Sequence, residues 1–582
     1  MNISTTARAA ALIRSILDTS RRTHAAVTTD EKKPLLEAAL PVFPRVTPEE
    51  CGISSAEMLD FMKRLDSDCR IGWQNITFMR GGKVFYEASK GEWRNDIPKT
   101  TFSACKSIVS LAVGRLVTEK RLRLNERVAD ILSEYTSAIT AVRLKGLTVE
   151  DLLTMRSTVT FNEAEATVTR EWRKAFLAST TNGTVGKTFF YNSLNTYMLA
   201  AIVVKRSGMS LCDYLDTTVF GELGITDYYW EKSPEGIEKG GWGLYILPED
   251  MLKLGKLILD KGRHRGKRII SESYLAAATS TQAIAPEDYG EFNYGYQIWC
   301  GRTNGSFLFN GMLGQNLLCF RENGIEIMIN AGNGDNFQQN PFFALALGSF
   351  CKAFSDTLPE NREAYDELCG YTKGLKSLFS PDFGSILPAP EEEELPCTLP
   401  LSALYGRSFA VSGANAPSTG ILPLFIQAVE SNYTHGLERI SFSEAQGGIA
   451  VTFTEADCEN TVIAGDGHPV EGVVALHGDM FRVSAHARFA RDEDGAPVLT
   501  VTCAYLETPY RAEYKFHFGS KPFAVFSETP GPDYVSVVPK IIAKIAAEKQ
   551  LVDAVYSKID RDYIAAKLEK AFRKRIELNV IS

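Results

Sequence analysis

Histidine is scarce in this chain of 582 residues: there are 7, and only His24 and His264 precede residue 350. His264 sits in a charged turn, and no G-x-S-x-G elbow occurs, so a Ser–His–Asp hydrolase lacks its parts. The other histidines (His435, His468, His477, His486 and His517) fall among strand residues without H-E-x-x-H spacing, which argues against metal ligation. The 11 cysteines include no C-x-x-C pair. Reduced thiols in the cytoplasm fit that pattern better than a disulfide frame or zinc site. No metal or cofactor is expected. No apolar run is long enough to span a bilayer, and Met1–Thr6 lack the basic start of a secretory signal. An excess of basic residues is also missing, since 63 Lys and Arg face 71 Asp and Glu for a net charge of −8. That balance argues against a nucleic-acid partner.

What is present is enough for two cores, because single cores stop growing at about 250–300 residues. Residues 1–45 read as a helical arm, with Ala7–Leu17 as its helix. Residues 46–355 mix strands and helices. A Gly-Gly hairpin joins Ile76–Arg80 to Lys83–Tyr86, and Glu322-Asn323-Gly324 joins Asn316–Phe320 to Ile325–Asn330. Helical periodicity fills the middle at Ser107–Glu119, Thr148–Met155 and Ser193–Arg206. Strands at both ends with helices between predict an α/β (α+β) domain, an antiparallel sheet flanked by helices with an all-helical lobe. Residues 356–399 hold a helix (Pro359–Lys376) and the linker Leu387-Pro388-Ala389-Pro390 followed by four glutamates. Residues 400–582 turn β-rich, which predicts a barrel or sandwich, with helix expected again from Val535 to Leu578.

Ser103 and Lys106 carry the first chemical signal. Ser103 leads into the apolar-periodic helix, where backbone N–H groups favour developing negative charge. Lys106 lies at i+3 on the same face. A serine needs a base, and a desolvated lysine can be one. Four residues prove little, since Ser349-Phe350-Cys351-Lys352 repeats the pattern. Partners nevertheless follow Ser103 in order. Tyr191 stands at a loop-to-helix junction, where its phenol can shuttle a proton. Around Gly311 a strand can hold substrate along its edge, and the N–H of Met312 with that of Ser103 can form an oxyanion hole. Ser193, Asn195 and Gln315 complete the candidate substrate contacts.

Ser103-x-x-Lys106, Tyr191-x-Ser193 and Gly311 resemble, in this order, the three motifs of the serine β-lactamase and penicillin-binding protein superfamily. Leu147–Ser157, Gly241–Met251 and Tyr294–Trp299 resemble its connecting stretches, so that the resemblance covers about residues 46–355. Within it the chain is similar to the class C β-lactamase, esterase and 6-aminohexanoate-oligomer hydrolase branch. The resemblance implies a β-lactamase/transpeptidase-like fold and an acyl-enzyme hydrolase acting on a small ester or amide. Two departures stand out: Ser193 where β-lactamases of this branch carry Asn, and Phe309 where a Lys or His should help hold a substrate carboxylate. Esterase or amidase chemistry is therefore expected ahead of β-lactamase or D-Ala-D-Ala carboxypeptidase activity. A binding or scaffolding protein that kept only the fold is the alternative from another class. The β-rich region is expected to cover the cleft or to mediate homo-oligomerisation.

Overall fold

The computed structural model describes residues 27, 29–334, 340–376, 395–396, 400–412, 420–456, 458–492, 495–530 and 573–581. The chain divides into two compact units. One is built from Leu36–Leu378 together with Met1–Ile3, the other from Phe379–Ser582 together with Ser4–Leu35.

In the first unit seven antiparallel strands form one sheet. Its order is Lys83–Ser89, Trp73–Arg80, Ile325–Ala331, Gln315–Phe320, Ser306–Gly311, Trp299–Gly301 and Phe292–Tyr294. Both hairpins expected from the turn residues are present, and the first strand pairs with the last, Ile76 facing Ile329. Alternation along each strand feeds two cores. Phe307, Phe309 and Leu317 join Ile108, Leu111 and Met198 beneath the helices Cys105–Thr118 and Ser193–Ser207. Leu308, Leu318 and Phe78 join Phe61, Phe350 and Leu368 beneath Ser55–Ser67, Pro341–Phe350 and Arg362–Leu375. Each large apolar side chain buried this way contributes about 1.5–3 kcal/mol. With helices on both faces, the central strands are buried along their whole length.

In the second unit Glu459–Asp466, Gly448–Glu455, Leu437–Ala445, Ser408–Ser412, Arg573–Val580, Phe523–Thr529, Arg511–His517, Pro497–Tyr505 and Asp479–Arg491 pair in that order. The last returns to the first through Gly465–His486 and Asp466–Ala487, closing a barrel. Residues 420–436 are held inside by side chains of the wall: Glu455 accepts the Ile421 N–H (2.8 Å) and Tyr514 donates to the Ile421 carbonyl (2.7 Å). Glu528 accepts the Leu424 N–H (2.6 Å).

Two expectations need correction. Arg573–Val580 is a strand where helix was expected to run to Leu578, and it closes the barrel between Ser408–Ser412 and Phe523–Thr529. Its inward side chains are Lys574, Ile576 and Leu578. Residues 29–45 of the arm contain no helix, while the expected helix Ala7–Leu17, the linker Leu387–Glu394 and the remainder of the C-terminal helix lie outside the described residues.

Candidate active site

Ser103 lies one turn before the long helix, in the 3₁₀ turn Phe102–Ala104, with the α-helix starting at Cys105. Phe102 holds φ at 43°, a costly conformation for a bulky residue that only surrounding contacts can impose. Those contacts are visible. The Thr101 N–H and hydroxyl both donate to the Leu244 carbonyl, at 2.9 and 3.0 Å. The buried Cys105 thiol lies 3.0 Å from the Phe102 carbonyl and 3.1 Å from that of Gly240. Burial pushes that thiol up to about 12, so it stays protonated beside the serine.

Lys106 is buried on the next helical turn. Its Nζ donates to Ser103 Oγ at 2.8 Å and to the Gly241 carbonyl at 2.6 Å. Burial pulls the ammonium down to about 8, against the opposing pull of Cys105 and Glu163. A neutral amine here keeps its donation to Gly241 and offers its lone pair to the serine proton. The nitrogen also sits over the Tyr191 ring, 5.2 Å from its centroid.

Tyr191 is fixed by its neighbours. Phe190 N–H donates to the Met155 carbonyl at 2.7 Å. Asn192 caps the helix Ser193–Ser207 by accepting the Leu194 N–H, and its amide donates to the carbonyls of Val159 and Phe161, each at 2.8 Å. The Tyr191 ring stacks on Trp299 (5.9 Å) and meets Tyr294 edge-on (6.3 Å). Ser193 is buried at the start of that helix, and its N–H donates to Glu163 at 3.3 Å.

Gly311 ends the strand that runs past the nucleophile turn. A Cβ there would lie 2.1 Å from the Thr101 carbonyl, so the close approach of strand and turn requires glycine. Met312 opens the tight turn to the next strand and is half-buried. The structure thus sets Ser103 Oγ and the Tyr191 ring around the Lys106 amine and brings Gly311 against the turn that carries Ser103.

Two expected contacts stand apart. Gln315 is buried and tied within the sheet, donating to the Ala331 carbonyl (2.6 Å) and accepting from Asn330 (3.0 Å). It sits opposite Gly311 at the end of the paired strand. Asn195 is fully buried with its amide nitrogen 3.3 Å from Met155 Sδ. Phe309 points into the core shared with Ala104, Cys105 and Ile108. The competing pair Ser349/Lys352 is no dyad, because Lys352 pairs with Glu57 at 3.3 Å.

Thr101, Asn192, Gly241 and Glu163 escaped the reading of the sequence. Thr101 and Gly241 act through backbone groups, which leave no residue signature, and Asn192 acts through its capping side chain. Glu163 announced itself only as the acidic first residue of the short helix Glu163–Ala166.

Residues 73–342 match the family model described as Beta-lactamase. The 6-aminohexanoate-dimer hydrolase of Paenarthrobacter ureafaciens is 25% identical over 287 residues, which span 44% of this chain and 71% of that protein. A penicillin-binding protein homologue from Caulobacter crescentus aligns over 53% of this chain and 100% of its own, at 16% identity and a TM-score of 0.43. A D-stereospecific amidohydrolase from Streptomyces sp. aligns over 51% and 99%, at 15% identity and a TM-score of 0.41. The family match lies wholly inside the unit that holds Ser103 and Lys106.

Proposed function

We propose that the chain is a serine hydrolase that opens a small ester or amide through an acyl-enzyme on Ser103. The observation that carries this reading is the 2.8 Å contact between Ser103 Oγ and a buried lysine nitrogen lowered to about 8. Neutral Lys106 takes the hydroxyl proton as Oγ attacks the carbonyl carbon. The oxyanion accepts from the N–H groups of Ser103 and Met312. On collapse the leaving group departs with a proton relayed through Tyr191, and water then releases the acyl group by the reverse transfers. Phe309, buried where a cation would hold a carboxylate, supports esters and amides over β-lactams and D-Ala-D-Ala peptides. Buried free thiols at Cys51, Cys105, Cys300, Cys319 and Cys503 support work in a reducing compartment such as the cytoplasm.

A fluorescent phosphonate should label the wild-type chain and not Ser103→Ala, and short-chain p-nitrophenyl esters should be turned over ahead of a chromogenic cephalosporin. No labelling together with no ester or amide hydrolysis would leave a binding protein of the same fold.

A further inference from the structure

Gln297 holds φ at 56° in the turn that joins Phe292–Tyr294 to Trp299–Gly301. A residue with a long side chain adopts this left-handed conformation only where its surroundings impose it. Gln297 is buried, and each of its polar atoms is bonded. Its N–H donates to the Leu153 carbonyl (2.9 Å), and its carbonyl accepts from the Ser107 hydroxyl (2.7 Å). The side-chain amide donates to the carbonyls of Leu152 and Leu153, at 2.9 and 3.1 Å. Its oxygen accepts from the Thr196 hydroxyl at 2.6 Å.

These partners lie on three helices, and each leads to the site. Ser107 adjoins Lys106 on Cys105–Thr118. Thr196 is in the first turn of Ser193–Ser207, the helix that Asn192 caps directly after Tyr191. Leu152 and Leu153 end Val149–Leu153, just ahead of Met155, whose carbonyl receives the Phe190 N–H. Trp299, on which the Tyr191 ring stacks at 5.9 Å, follows Gln297 by two residues. The segments that fix the Tyr191 ring thus converge on one residue, which joins them to the helix carrying Lys106.

We propose that Gln297 is a positioning residue whose side chain sets the Tyr191 phenol for proton delivery to the leaving group. This rests on the reading of Ser103 as nucleophile and Tyr191 as relay. Gln297 itself takes no part in the chemistry.

Glycine adopts a φ of 56° without steric cost, so Gln297→Gly keeps the main-chain bonds and removes those of the side chain. The full chain is assayed with butyrate esters of p-nitrophenol, phenol, trifluoroethanol and ethanol. All share one acyl group, and p-nitrophenolate leaves unaided where an alkoxide needs a proton. Proton delivery contributes about 10²–10⁴-fold. Gln297→Gly should therefore lower kcat/KM for the most basic leaving group turned over by about tenfold or more relative to the p-nitrophenyl ester. Thr196→Val keeps the shape, removes one side-chain bond and should move the ratio in the same direction, which carries the test should the glycine variant not fold. In a Tyr191→Phe background, Gln297→Gly should leave the ratio unchanged. A parallel loss across the series, an unchanged series, or a ratio that still moves without the phenol overturns the inference while leaving the hydrolase intact. So does a wild-type chain that phosphonate labels but that turns over no leaving group more basic than p-nitrophenolate, because there is then no proton delivery to set. Absence of all turnover and labelling in the wild-type chain overturns the hydrolase reading instead.

Discussion

Lys106 is a base only while it is neutral, and burial places that transition near pH 8. Acylation of Ser103 should therefore rise with pH through a midpoint near 8, followed as the rate of phosphonate labelling or of p-nitrophenol release. Lys106→Ala should slow acylation by about 10²–10⁴-fold, the span of general-base effects, with the circular dichroism spectrum unchanged. A flat pH profile across this range would remove Lys106 from the base role. The neighbouring Cys105 does not blur the experiment, because its thiol stays protonated to about 12.

At the scale of the element, the site depends on a strand meeting a turn. Ser306–Gly311 approaches the Phe102–Ala104 turn so closely that a methyl group at Gly311 would lie 2.1 Å from the Thr101 carbonyl. Gly311→Ala must push these apart, and the displaced turn carries Ser103 with it. Since misplacement by about 1 Å can cost 10²-fold in rate, kcat should fall by about that factor. The sheet register should survive, because Gly311 is the terminal residue of its strand. Retention of full kcat would mean the turn has slack the contacts do not show. The chain end makes a different point about elements. Arg573–Val580 alternates inward Lys574, Ile576 and Leu578 with outward charges. An inward lysine hides the period-2 pattern, which is why helical periodicity upstream led the reading astray.

At the scale of the whole molecule, the N-terminal segment belongs with the barrel and not with the domain that follows it in sequence. Lys33 and Glu507 are fully buried and paired at 2.9 Å. The Lys33 N–H donates to Asp479 (2.8 Å), its carbonyl accepts from Met480 (3.0 Å), and its Nζ lies 4.6 Å from the centre of the Phe481 ring. Removing one member of a buried ion pair leaves a charge without solvent or partner. Lys33→Ala should cost the second unit about 3–5 kcal/mol. Calorimetry should show the barrel transition moved down and the transition of the hydrolase unit unmoved. A shift of both, or of neither, would contradict this assignment.

The sequence by itself singled out the candidate site and determined much of the first unit's architecture. Ser103, Lys106 and Tyr191 were legible because a helix start, an i+3 spacing and a loop-to-helix junction are local features. The hairpins were legible because turn residues and alternation act over a few positions. Tertiary structure decided what depends on distant chain segments meeting. It alone gave the Gly241 carbonyl to Lys106, the Thr101 carbonyl to Gly311 and the Glu163 carboxylate to Ser193. It returned Gln315 to the sheet, closed the barrel with its last described strand, and seated Lys33 against Glu507. Burial and carbonyl direction are properties of the packed chain. No spacing in the sequence encodes them, and they are what sets a buried amine lowered to about 8 against the Ser103 hydroxyl.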